Sequence, residues 1–175
     1  MTDRFIPFGP LPLRLMMAIG FFYHGLPKLT PQGHQTFVGM LQGIGVPSPE
    51  PVAWMVGVLE VVGAALLLVG YRVRLVVIPL IVEMVVAMVT VHWPSGFNTI
   101  NITGMGPDGP TFGMPGIELN LLYISILSAL WFTGAGWLSF DIRREQPEAI
   151  PIEPGFEVRR PVGHAGRSSG GTAFP

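Results

Sequence analysis

Four apolar stretches of the sequence carry ionisable residues that a helix facing lipid would not tolerate. Arg14 and His24 fall in the first, Glu60 in the second and Glu83 in the third, while Glu118 opens the fourth. A charge near the middle of a bilayer costs about 2.5–3.5 kcal/mol on insertion scales unless it turns inward and finds a partner. A set spread over all four stretches predicts helices packed around a polar centre. Imidazole and carboxyl groups at membrane depth can do proton chemistry: a histidine can donate to a quinone carbonyl, and a buried carboxyl can relay the proton. The same groups can also do no more than fasten helices, with Gly57, Gly63, Ala64 and Ala65 beside Glu60 allowing close approach.

Depth arithmetic suggests which of these groups meet. Glu60 and Glu83 each lie eight residues inside their stretch, about 12 Å at 1.5 Å per residue, so both come near the midplane. His24 lies toward the outer end of the first stretch, and Arg14 toward its inner end. Two pairings are expected: His24 with Glu60, and Arg14 with Glu83 as a structural ion pair. At the outer mouth Lys28, His92, Trp93, Glu118 and Asn120 are expected to cluster, a candidate site for a quinone or lipid head. Glu118 at a helix start is also favoured by the helix dipole alone. His34 and His164 read as solvated. The spacing of histidines and acids matches no metal-ligand pattern, and the nine methionines read as packing residues.

The elements that must hold these groups follow from hydrophobic runs and breakers. Helices are predicted over about 11–26, 52–69, 75–92 and 117–138, with prolines in or before the opening turns of the first two. Residues 29–51 read as a loop rich in Gly, Pro and Gln, and Gly70 to Arg74 as a tight connection. Residues 93–116 read as a long irregular outer loop. Residues 142–175, rich in Pro, Gly and Ser, read as an irregular cytoplasmic tail. The fold class expected is thus all-α: a four-helix transmembrane bundle over residues 1–141, with a long extracytoplasmic loop between helices 3 and 4 and an extended tail. The first stretch has no small-residue cleavage site after it and reads as an uncleaved membrane helix. Arg4, Arg72, Arg74, Arg143 and Arg144 fall on one side of these spans, which predicts both termini in the cytoplasm.

Composition agrees with that class and removes others. Of 175 residues 49% are hydrophobic and only 12% charged, about half the charge of a soluble domain. A formal net charge of −1 offers no basic footprint for nucleic acid. With no cysteine, the chain has no thiol nucleophile, thiolate cluster ligand or covalent haem attachment. Redox work would then need a bound quinone or a partner subunit.

Phe22-Tyr23-His24-Gly25-Leu26-Pro27-Lys28 resembles the HG-x-x-K signature of DoxX-family membrane proteins. Gly57 to Gly63 and the turn Gly70 to Arg74 resemble that family's second helix and its G-x-x-x-R turn. Val89 to Pro94 with Gly96-Phe97, then Glu118-Leu119-Asn120, are similar to its third and fourth helices. The resemblance spans about 13–141. It implies a multi-pass protein of the bacterial cytoplasmic membrane, working as an accessory subunit of a redox complex and possessing no covalent cofactor. A quinone or lipid would sit in its pocket, and other subunits would contact the tail. A quinone-binding oxidoreductase subunit acting through His24 and Glu60, and a small transporter or lipid-binding protein, are the alternatives.

Overall fold

The computed structural model describes residues 6–141. The expectations for residues 142–175, and for Arg4, Arg143, Arg144 and His164, lie outside the described residues. Five α-helices are formed among those described: α1 Pro10–Lys28, α2 Pro31–Gly43, α3 Pro49–Val69, α4 Val73–Ala87 and α5 Glu118–Thr133. A wide π turn, Met88–His92, and a short 3-10 turn, Trp93–Ser95, prolong α4. The strands β1 Ile102–Gly106 and β2 Gly109–Phe112 pair antiparallel. The chain is therefore mostly helical, but not all-α.

Two of the differences from expectation are additions. Residues 31–43 form α2 instead of a loop. Thr30 caps it, its hydroxyl accepting the Gly33 N–H at 3.3 Å, and Pro31 fills the first position, where no backbone N–H is needed. His34, Phe37 and Leu41 give it one inward stripe, weak because Gly, Gln and Thr occupy the other faces. In the long loop, Gly106-Pro107-Asp108-Gly109 makes a tight turn that brings the two strands together. The third difference is a shortening. The last helix stops at Thr133, not 138, because Gly134 (φ 74°) and Gly136 (φ 67°) take left-handed backbone that ends a helix whatever the hydropathy beyond.

The apolar core lies where α1, α3, α4 and α5 meet, around Met17, Phe21, Leu67, Val77, Leu80, Leu127 and Leu130. Residues 49–69 and 73–95 are long and apolar enough to cross a membrane, while α5 is a shorter apolar helix. Much of their apolar surface faces outward: Met55, Val62, Leu75, Val82, Val86, Val89 and Phe132 are all exposed. A soluble monomer rarely shows contiguous apolar surface of that extent, and helices apolar on every side are at home in lipid. The fold is that of a membrane protein.

Candidate functional site

The centre of the molecule is a lysine between carboxyls. Glu60 projects from the middle of α3 and is 2% exposed. The Lys28 ammonium, at the end of α1, turns inward and pairs with Glu60 Oε2. Glu83, from α4, faces the same carboxyl. Counted from the end of α3 and the start of α4, which a short turn joins, both carboxyls lie about 14–15 Å along their helices, so they share one level. Glycine brings α1 in. A Cβ on Gly25 would stand 2.7 Å from Glu60 Cβ, so only a residue without one allows α1 to cross α3 here. A Cβ on Gly20 would strike the Tyr123 hydroxyl of α5, which packs edge-on to Phe21 at 5.4 Å.

Among the described residues Glu83 Oε2 is buried and accepts from no N–H or hydroxyl donor, its carboxyl lying against that of Glu60. One ammonium cannot balance two carboxylates in contact. A proton or a second cation must complete the charge, because leaving a buried carboxylate uncompensated costs several kcal/mol. The group is thus suited to holding and releasing a positive charge. Among the described residues no cluster of three or more His, Asp or Glu could hold a metal ion.

Neither expected pair forms. His24 is exposed, its ring edge-on to Tyr23 at 5.9 Å, about 100° round α1 from the Gly25 that meets Glu60. The histidine that packs beside the centre is His34, on the unexpected helix. It is 6% exposed, with Nδ1 3.1 Å from the Lys28 carbonyl oxygen and Nε2 3.1 Å from Glu50 Oε1. Its ring lies 4.3 Å from that of Trp54, and the Lys28 ammonium sits 4.8 Å over the Phe37 ring. A loop over residues 29–51 would leave His34 solvated, whereas the Thr30-Pro31 start signal and the His34/Phe37/Leu41 stripe point to the helix that buries it.

Arg14 is buried, 1% exposed, but it bonds backbone instead of Glu83. Its guanidinium donates to the carbonyls of Leu67 (2.8 Å), Leu68 (3.2 Å), Ala135 and Leu138 (3.0 Å). The last carbonyls of a helix have no partners within it, and they form the negative end of its dipole. Arg14 lies at the level of that end of α3, about two turns short of Glu83, and takes the nearer acceptors.

The mouth residues divide by role. Glu118 Oε2 accepts the Thr99 N–H at 3.0 Å. His92 Nδ1 is 2.8 Å from the Pro115 carbonyl oxygen, so these two fasten the hairpin loop to the ends of α4 and α5. Asn120 is buried, its amide 3.5 Å from the Met84 carbonyl oxygen. Trp93 is exposed. Of the seven residues expected at one site, Lys28 and Glu60 meet, and Glu83 joins them.

The comparisons bear on this arrangement. Residues 9–93, which contain Arg14, Lys28, Glu60 and Glu83, match the DoxX family model. A protein of Bacillus subtilis (strain 168) named "Putative oxidoreductase CatD" is 29% identical over 133 residues, covering 76% of this chain and 84% of that protein. No solved structure matches the chain. The helices that build the lysine–carboxyl centre, α1, α3 and α4, therefore lie in the stretch that matches the DoxX model.

Proposed function

We propose that this chain is an accessory subunit of a bacterial membrane electron-transfer complex. In this reading α1, α3, α4 and α5 cross the cytoplasmic membrane as a four-helix bundle, residues 1–141 are its membrane domain, and both termini are cytoplasmic. The arginines at the α3–α4 turn support that orientation. The observation that carries the function is the Lys28–Glu60–Glu83 group, with Glu60 buried and the other two half-buried, a charge-storing centre in a chain without thiols. The name of the Bacillus subtilis relative, an oxidoreductase, points the same way. The tail beyond residue 141 would meet another subunit. Solubilising native membranes gently and isolating the chain tests this: it should migrate with larger partners, and a lone monomer would refute the subunit reading.

Glu83 Oε2, buried and accepting from no N–H or hydroxyl donor among the described residues, favours a second reading in which the centre contacts a quinone. The donor set fits a quinone head: the Lys28 ammonium can donate to a carbonyl oxygen, and the carboxyls can accept or supply a proton beside it. Bound there, a quinone would supply two-electron redox chemistry. His24, exposed on the flank of α1, has no part in this version, and Glu60 keeps its part. Under this reading, Glu83→Gln leaves the complex assembled and abolishes its quinol-dependent turnover. Unchanged turnover in an assembled Glu83→Gln complex would remove the quinone and leave the accessory role.

A further inference from the structure

A second polar site lies at the opposite end of the helices from Lys28. The start of α1, the start of α4 and the segment after α5 enclose a cleft of about 670 Å³. Gly134 and Gly136, in left-handed backbone, turn the chain sharply there and so leave the cleft open. Two arginines line it, Arg72 and Arg74. Among the described residues neither guanidinium has a hydrogen bond or ion pair; Arg72 only rests over the Tyr71 ring at 5.6 Å.

The other charges nearby are already committed. Asp141 spends both carboxylate oxygens on the start of α4, accepting Arg72 N–H at 2.7 Å and Val73 N–H at 3.0 Å. Arg14 spends its donors on four carbonyls. Asp141 keeps its negative charge, so the charged side chains that line the cleft leave one net positive charge, with both guanidiniums unpaired among the described residues. The rest of its wall is largely apolar, with Pro7, Pro10, Leu13, Leu75 and Ala135, and Leu75 is 60% exposed on the outer flank.

An anion alone would use the arginines and leave that apolar wall wet. A hydrocarbon alone would leave two guanidiniums unpaired. We propose that the cleft holds an anionic phospholipid, its phosphate between Arg72 and Arg74 and its acyl chains running past Leu13 and Leu75 along the bundle. Helix ends lie at headgroup level in a bilayer, and basic clefts between transmembrane helices suit anionic heads. The proposal rests on reading the helices as membrane-spanning.

The full-length protein in nonionic detergent, titrated with phosphatidylglycerol or phosphatidylcholine and read by native mass spectrometry, tests it. Wild type should retain phosphatidylglycerol in preference to phosphatidylcholine. R72Q/R74Q should bind phosphatidylglycerol about 25-fold more weakly, about fivefold per arginine, with phosphatidylcholine binding unchanged. R74Q alone, whose side chain bonds no described residue, should show the fivefold loss without a folding defect. Four results would overturn the proposal. Wild type could fail to discriminate the two lipids, or discrimination could survive in R72Q/R74Q. Inorganic phosphate at equal concentration could displace the lipid completely, which would mean a site for a free anion. Discrimination could also arise only after Glu145, Glu148, Glu153 and Glu157 are changed to Gln, which would mean that the tail covers the arginines. Carbonate washing of membranes separates the two readings: release of the chain defeats the membrane-spanning reading, whereas retention without lipid preference defeats only the lipid site.

Discussion

Replacing Lys28 by Met removes the only described cation that touches the buried carboxyls, while keeping a stem of similar length. Glu60, 2% exposed, then faces Glu83 with no counter-charge. Breaking one side of a buried ion pair costs about 3–5 kcal/mol. The Lys28 side chain is 19% exposed, so water can partly replace the ammonium, and the lower end, about 3 kcal/mol, is the appropriate figure. At about 2–4 °C per kcal/mol for a chain of this length, K28M should unfold about 6–12 °C below wild type, read from tryptophan fluorescence in detergent. Removing the excess charge as well should restore much of this. K28M/E60M exchanges the pair for apolar groups of similar volume and should come within about 1 kcal/mol of wild type. K28M/E83Q should recover part of the loss, because a single carboxyl is cheaper to neutralise than two in contact. A coupling of about 2 kcal/mol between Lys28 and Glu60 is the quantity at stake. Additive losses in K28M/E60M, with no rescue by E83Q, would refute the claim that the three groups form one charge-balanced centre.

Three further outcomes follow from the packing. Arg14→Lys keeps the charge but cannot span four carbonyls from one fork, and it should cost about 3–5 kcal/mol in thermal unfolding, since each charge-assisted bond lost is worth about 1.5–3. Gly25→Ala places a methyl against Glu60 Cβ and should destabilise by about 1–2 kcal/mol despite the better helix former; Gly39→Ala, with no atom within 4 Å of its Cβ position, should stabilise α2 by up to about 1 kcal/mol. His34→Ala removes two hydrogen bonds and the Trp54 contact, so the emission of Trp54 should shift and the amides of α2 should exchange faster with solvent, while those of α4 stay protected.

The spans were legible in the sequence because hydropathy is a property of each segment alone. The ends of α1, α3 and α4 lie within a few residues of expectation, since prolines and glycines mark them. α2 was missed for a physical reason: only one face of it is apolar, and its Gly and Gln content lowers the local signal, so its stability comes from packing on α3 and from its Thr30 cap. The hairpin was missed because the polar, glycine-rich loop shows little alternation, although Pro107-Asp108-Gly109 carried the turn signal.

The pairings failed for a different reason, and it bears on function. Counting residues gives the level of a group along a helix but not the direction in which it points. Glu60 and Glu83 were correctly set at one level, yet like charges are not expected to meet, so each was assigned a cation from α1. Glycine supplied the missing direction: Gly25 marks the side of α1 that lies against Glu60, and His24, about 100° round the helix from it, is exposed. Lys28 takes the least ordinary course. A lysine at a helix end ordinarily extends its stem toward water, and this one turns into the bundle. Losing part of its hydration is tolerable only where the field inside is strongly negative, and two carboxyls at one level provide that field. A structural fastener would need only one of them. The second acid, whose Oε2 accepts from no N–H or hydroxyl donor among the described residues, is the reason to look for a transferable proton there.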